Sequence, residues 1–457
     1  MTATGPTATS AAQAVTDADG HPFITRFQRY AEEALRPAAL ETDRVPASTI
    51  ERLAELGAHN HLAPAGYGGA GLGRDADRRM HRPRGPTQAL SRTAHRTEQE
   101  DPLMSLQLLW YIPNEVQPGH RGDDVAANHN SLETLTSHAK ALEEHGWGGA
   151  LIGTGWGRPD TFTVATTLAA QTTTFQPLIA VRPGYWRPAN FASAAATLDH
   201  LTGGRVLINI VSGRDNLAAY GDSEGDQAHR YARTKEFIQI VRKLWTEENV
   251  TYHGEHFSVT DSTVVPRTVV RGERKHPRLY FGGASQVAEK VAATEADVQL
   301  FWGEPLDGVH ERIERLKQLS EELGREHAPL EFGLRVTTLV RDTTEQAWAD
   351  AEAKVAEMAK GKGVISRDPN RQTAVGQQRL LELAARGEVL DDNLYTTPGK
   401  FGGGGAGTTW LVGSAEDVAR SLRKYQGLGI THFVLSDTPY LPEIKRQGDQ
   451  LLPLLRG

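Results

Sequence analysis

The chain has 457 residues, 39% hydrophobic and 23% charged, with a net charge of −7 and no cysteine. That length allows one large or several small domains with an ample core. The acidic balance speaks against nucleic-acid binding, and no apolar run approaches the roughly 18 residues of a membrane span. Without cysteine, disulfides, thiolate metal sites and cysteine nucleophiles are excluded. The opening MTATGPTATSAAQAVTDADG has neither the basic start nor the apolar middle of a secretory leader, so a cytoplasmic enzyme is the expectation.

In chain order, residues 1–24 are small and polar and read as disordered. Residues 25–73 predict a short helical segment, with a first helix broken at Val45-Pro46 and a second ending at Gly57. Residues 74–103 are rich in Arg, His and Pro and read as a linker, and the first 103 residues contain no lysine. From Met104 strands and helices alternate. Strand-like runs fall at 106–112, 149–153, 174–181, 206–211, 278–281, 298–302, 331–340 and 431–435. Helical stretches fall at 131–145, 190–201, 229–246, 286–294, 306–323, 344–358 and 415–428. Eight strands, most followed by a helix, predict an α/β fold over 104–457, a (β/α)8 TIM barrel with insertions. One insertion, 218–227, follows the fourth strand. A longer one, 360–409, carries Gly-Lys-Phe-Gly-Gly-Gly-Gly-Ala-Gly at 399–407 and is a candidate lid on the C-terminal face.

In such a barrel the chemistry sits at the C-terminal strand ends. Those ends carry Thr154, Trp156 and Arg158 after the second strand, Arg182 after the third, and Ser212 and Arg214 after the fourth. Gly283-Ala284-Ser285 follows the fifth, Trp302 ends the sixth, and Arg335 lies in the seventh. Gly282-Gly283-Ala284-Ser285 opens a helix, where amide donors and the Ser hydroxyl suit a phosphate, or Ser285 serves only as an N-cap. Arginines concentrated in one mouth favour an anionic ligand through bidentate contacts. No GxGxxG follows the first strand, and GxxxxGK[ST], HExxH and GxSxG are lacking. His253 and His256 read as turn residues, and no metal site is expected. With no evident acid, base or nucleophile, a cofactor is expected to carry the hard step.

These residues carry a resemblance. From Met104 to about Leu455 the chain resembles the bacterial luciferase-like flavin monooxygenases, and among them the alkanesulfonate monooxygenases. The matching runs include Trp110-Tyr111-Ile112-Pro113, Ala196-Thr197-Leu198-Asp199, the residues from Asn209 to Gly213, those from Leu279 to Ser285, Trp302-Gly303-Glu304-Pro305 and Phe332-Gly333-Leu334-Arg335. The resemblance implies a barrel that takes reduced FMN from a separate NAD(P)H:flavin reductase, with O2 as co-substrate, and acts through a (hydro)peroxyflavin. For an alkanesulfonate the products are an aldehyde and sulfite. It implies cofactor-binding positions at Thr154, Ser212, Tyr231, Gly283, Ala284 and Ser285, catalytic positions at Arg335, Trp302 and Arg158, and assembly into dimers or tetramers. The chain departs from the alkanesulfonate pattern at several places: Arg158 stands for a cysteine, Asn114 or Glu115 for a histidine and Thr337 for another. Lys400 is the cation nearest to a lid arginine replaced near Gly403, and Thr438, with Tyr440 close by, stands for a tyrosine. A different anionic or sulfur-containing substrate, a deazaflavin-dependent oxidoreductase on the same barrel, and a non-catalytic flavin-binding protein are the other readings. Residues 27–72, with Leu62-Ala63-Pro64-Ala65-Gly66-Tyr67-Gly68-Gly69, resemble the opening helices of acyl-CoA dehydrogenases; the expectation is that 1–103 are a fused gene remnant or an over-extended start, with a small docking domain as the alternative.

Overall fold

Apolar side chains alternate along eight parallel strands between two separate clusters, and that alternation defines an inside and an outside. The computed structural model describes residues 106–112, 129–213, 216–222, 226–362, 375–401 and 408–456. The expectations for 1–24, 25–73 and 74–103, and those for Asn114, Glu115, Arg214 and Gly403, lie outside the described residues. The first half of the barrel is β1 (Gln107–Ile112), β2 (Gly149–Ile152), β3 (Gln176–Val181) and β4 (Leu207–Val211). A two-stranded hairpin, β5 (Val250–His253) and β6 (Ser258–Ser262), precedes β7 (Arg278–Gly282), β8 (Val298–Trp302) and β9 (Glu331–Val340). Short strands β10 (Val389–Leu390), β11 (Leu394–Tyr395) and β12 (Trp410–Gly413) come before β13 (Ile430–Ser436).

The barrel closes in the order β13-β1-β2-β3-β4-β7-β8-β9, with β9 pairing back onto β13 in register Phe433↔Leu334 and Val434↔Arg335. It is a (β/α)8 TIM barrel, as the sequence predicts. Leu109, Tyr111, Leu151, Leu178, Ala180, Leu207, Tyr280, Leu300 and Val434 form the interior cluster. Their strand neighbours Trp110, Ile152, Ile179, Ile208, Phe281, Phe301, Leu334 and Phe433 face the helices. Strands buried on both faces read as continuous apolar runs, the signature of a parallel sheet.

The surrounding helices are α1 (Leu132–Glu144), α2 (Thr161–Ala170), α3 (Pro188–Leu201), α4 (Gln227–Thr246), α5 (Gln286–Glu295) and α6 (Leu306–Glu322). They continue with α7 (Thr344–Lys362), α8 (Val375–Arg386), α9 (Ala415–Gly427), α10 (Tyr440–Gln450) and α11 (Leu452–Arg456). Ser131, Asp160, Asp226, Ser285 and Ser414 each accept a backbone N–H as N-caps of α1, α2, α4, α5 and α9. Of the expected lid stretch 360–409, residues 363–374 and 402–407, with most of the glycine run, lie outside the described residues. Its described parts contain α8, and β10 to β12 extend the sheet from the upper end of β9, with Trp410 paired to Thr337.

Candidate active site

Strand parity sends a specific set of polar side chains into the mouth of the barrel. Trp302 continues the interior positions Val298 and Leu300, Arg335 lies on the face opposite Leu334 and Val336, and Asn209 lies between interior Leu207 and Val211. Trp302 and Arg335 are register partners on β8 and β9, so two of the three expected catalytic residues converge. The Arg335 guanidinium lies over the Tyr111 ring, 3.9 Å from its centroid. Stacking on an aromatic face fixes a planar cation and turns its N–H edge toward a ligand. The Trp302 Nε1 and the Oδ1 of Asn209, a residue only 5% exposed, are buried and have no hydrogen-bond partner. Buried polar atoms are rarely left unsatisfied, so each offers a hydrogen bond to a water or a ligand in the mouth. Gly376, in the first turn of α8, closes over the indole: a Cβ there would stand 3.3 Å from Trp302 Cε3.

A second group gathers outside the strands, between the barrel and helices α4 and α5. The Ser212 and Thr234 hydroxyls are 2.6 Å apart, and Thr234 donates onward to the Arg230 carbonyl at 2.8 Å, which leaves Ser212 as the donor to Thr234. One turn before Thr234 on α4, the buried Tyr231 phenol is pushed up by burial, with the Ser285 hydroxyl as its hydrogen-bonding neighbour. A Cβ on Gly283 would sit 2.6 Å from the Ala288 Cβ, so only glycine lets β7 run this close to the first turn of α5. The Gly283 carbonyl accepts from Gln299 Nε2 at 3.0 Å and from Arg312 at 2.9 Å. Because a trans peptide sets its C=O and N–H on opposite sides, pinning that carbonyl turns the Ala284 N–H the other way. The Ser285 cap contact to Ala288 N is long, 3.4 Å. The result is a cradle of hydroxyls and backbone amides at a helix N-terminus, a chemistry suited to a phosphate.

Thr154 and Arg158 lie on the turn after β2, both half-buried and on the rim rather than in the interior. Arg182 crosses the β3–β4 gap and donates to the Gly213 carbonyl at 2.7 Å. Tyr440 is buried against the rings of His129 and His138, with centroids at 5.8 and 6.0 Å. Among the described residues no group of His, Asp or Glu could hold a metal. His253 and His256 flank the turn of the β5–β6 hairpin, where Glu236 accepts from the amides of Glu255 and His256 at 3.0 and 3.1 Å. Tyr111, Asn209 and Thr234 are the site residues that motif reading misses. Parity marks the first two once the strands close, and the spacing of three from Tyr231 marks the third.

The cradle makes a direct prediction. Gly283→Ala forces Ala288 and the start of α5 to give way, and overpacking of this kind costs about 1–3 kcal/mol. The affinity for a ligand whose phosphate sits in this cradle is expected to fall about tenfold or more in a binding titration. Unchanged affinity would show that the cradle does not hold the phosphate.

The profile of the luciferase-like monooxygenase family matches residues 106–432, and the chain belongs to that family. Solved structures with the same fold include riboflavin lyase RcaE (17% identity, 77% of this chain and 91% of that one covered, TM-score 0.60). EDTA monooxygenase EmoA from Chelativorans sp. BNC1 is similar at 16% identity, with 77% and 94% covered and a TM-score of 0.60. DmoA from Hyphomicrobium sulfonivorans is similar at 19% identity, with 77% and 88% covered and a TM-score of 0.59. Coenzyme F420-dependent enzymes share the fold as well.

Proposed function

We propose that this chain is the oxygenase of a two-component system. It takes reduced FMN from a separate NAD(P)H:flavin reductase and oxidises a small anionic substrate, in the first instance an alkanesulfonate. The observation that carries the reading is the pairing of two anion-binding features. One is the rim cradle of Ser212, Tyr231, Gly283, Ala284 and Ser285, and the other is Arg335 held over Tyr111 in the mouth. A flavin phosphate occupies the first, and the substrate anion answers to the second.

The residues fit the cofactor. A Cβ added at Gly282 would meet nothing within 4 Å, so there is room above the end of β7, and Trp302 Nε1 and Asn209 Oδ1 offer the donor and acceptor that a polar ring edge needs. When bound, reduced flavin supplies two electrons for the activation of dioxygen. Arg335 binds and orients the sulfonate, Trp302 and the first turn of α8 exclude water above it, and Thr154 and Arg158 line the rim. For an alkanesulfonate, RCH2SO3⁻, O2 and FMNH2 give RCHO, SO3²⁻, FMN, H2O and H⁺, with the C–S bond broken and one oxygen atom retained in the aldehyde.

Anaerobic titration tests the reading: tighter binding of reduced than of oxidised FMN is expected, followed by oxygen uptake and sulfite release with octanesulfonate. No preference for the reduced form, or hydride transfer from F420 in place of oxygen uptake, would overturn it. Within the same assay Arg335→Ala is expected to lower kcat/KM by a factor on the order of 100, since truncating one partner of a desolvated charge pair costs about 2–5 kcal/mol. Reduced-FMN affinity should stay within threefold. An equal loss in both would mean that Arg335 serves the cofactor.

A further inference from the structure

A cavity of about 870 Å³ opens at the end of the barrel opposite the mouth. Its walls are α4 from Lys235 onward, the last turn of α5, the loop after α6 and the residues that lead into β7, β8 and β9. In a βα repeat the helices return to the strand starts, so their C-terminal carbonyls meet at this end. Arg325 answers those carbonyls, donating to Ala293, Ala296 and Ala328 at 3.0, 2.7 and 2.6 Å. Most other charges of the wall are matched in pairs. Asp297 takes Arg242 at 3.2 Å, and Glu331 takes Arg278 at 3.2 Å and His432 at 2.6 Å. Glu295 accepts from Gln239 at 2.8 Å and faces Lys235 at 3.9 Å, while Lys243 bonds Glu247 at 3.3 Å. Glu273, Lys275 and Glu326 are exposed to water.

Arg274 is the half-buried cation left over. Its backbone is fixed: Arg271 and Arg274 exchange hydrogen bonds at 2.8 and 3.1 Å across a turn with Gly272 at φ +58°. Arg271 in turn is anchored to the buried Asp199 and to the Gly204 carbonyl at 2.9 Å. Among the described residues the Arg274 side chain makes one hydrogen bond, from Nε to the His276 carbonyl at 3.2 Å. Burial lowers its pKa, and Arg278 and Arg271 lower it further, against the opposing pull of Asp297 and Glu331. A guanidinium held through Nε keeps its paired NH1 and NH2 edge for a ligand. That edge matches two oxygens of a phosphate, and bidentate contact is the strong form of this hydrogen bond.

We propose that this cavity is a second anion site, in which Arg274 binds the phosphate group of a small phosphorylated molecule end-on. The site is separate from the cradle at the mouth: Arg278 opens β7 and Gly282 closes it, about 13 Å further along the strand. It stands whether or not the oxygenase reading does. A cavity of this size admits more than the phosphate alone, within the usual range for small-molecule sites.

His276 reports on the cavity from within, since its buried ring lines the wall and stacks on Trp245 at 6.1 Å. Inorganic phosphate is the probe, titrated at pH 7.5 into the full chain labelled with ¹⁵N-histidine. The His276 ring signals, identified by their absence from His276→Gln, are expected to shift saturably with phosphate and not with chloride at equal ionic strength. Arg274→Gln is expected to raise the half-saturating phosphate concentration about tenfold or more. Arg274→Lys, which keeps the charge and loses the fork, should raise it about threefold or more. Gly283→Ala, which disturbs the cradle, should leave it within about twofold. No saturable shift in the wild type, an equal response to chloride, unchanged half-saturation in either Arg274 variant, or loss of the response in Gly283→Ala would each overturn the second site.

Discussion

Glu304→Ala is expected to cost about 3–5 kcal/mol of folding stability, the range for removing one partner of a buried ion network. Glu304 follows Trp302 by two residues and is 2% exposed. It accepts from Arg379 at 2.6 and 2.9 Å and from Arg312 at 3.3 Å. Arg312, itself 2% exposed, also bonds Glu289 at 3.1 Å and the Gly283 carbonyl. One carboxylate therefore joins the end of β8, helix α8 through Arg379, and the Gly283 turn through Arg312. Burial alone lowers the Arg312 pKa, and Glu304 and Glu289 offset that. Without Glu304, Arg312 keeps only Glu289, which Arg315 shares, and the carboxylate that joined Arg312 to Arg379 is gone. Urea unfolding measures the cost, and a loss below about 1 kcal/mol would mean that water replaces Glu304 at little expense. Reduced-FMN affinity should fall with it, because the orientation of Gly283 depends on Arg312. Arg379→Ala keeps the buried Glu304–Arg312 pair and should loosen α8 with a smaller loss.

The barrel was legible because its signal is repeated eight times: apolar runs of strand length, each bounded by turn residues, with an amphipathic helix after most. Helix α6 shows why, with Val309, Ile313 and Leu316 buried on one stripe. Helix α2 was not legible, since its sequence TFTVATTLAA is heavy in β-branched residues that disfavour helix locally. Packing of Ala165, Leu168 and Ala169 on the barrel and the Asp160 cap override that preference. The hairpin β5–β6 and helix α8 were hidden for a related reason. Both are held by side chains distant in sequence, Glu236 for the one and Glu304 for the other. At the site, strand ends pointed to Trp302 and Arg335, but the meeting of Arg335 with Tyr111 needed the closure of β9 onto β13 and of β13 onto β1. Arg158 follows a barrel strand but lies on a turn, half-buried, so its strand position alone does not fix where its side chain acts.

Acidification from pH 7.5 to 4 is expected to remove about 6 kcal/mol of stability through His138 and His276, roughly 3 from each at 1.36 kcal/mol per pKa unit. Burial, with the neighbouring His129, brings His138 down to about 4. Burial also brings His276 down to about 4, with Arg242 opposing protonation and Asp297 favouring it. The geometry at His276 shows why the neutral ring is preferred. Arg242 donates to Nε2 at 2.6 Å, so the single ring proton sits on Nδ1 and is donated to the Pro277 carbonyl at 2.8 Å. A second proton would face a guanidinium. The sign follows: a histidine depressed in the fold contributes stability that is fully present above its unfolded value near 6.5 and is lost as pH falls toward 4. Glu443 runs the other way, because burial and the Asp437 carboxylate push it up to about 7. Its protonated form belongs to the fold, so its contribution is present below about 4.5 and is lost as pH rises to 7. Urea midpoints across pH separate the two. The stability difference between wild type and His138→Gln should shrink by about 3 kcal/mol on acidification from pH 6.5 to 4. That between wild type and Glu443→Gln should shift in favour of the variant by a similar amount as pH rises from 4.5 to 7. A His138→Gln curve parallel to the wild type would remove His138 as a source of acid sensitivity. A flat Glu443→Gln difference would mean that Arg341 and Arg446, at 3.2 and 3.5 Å, hold that carboxylate charged throughout.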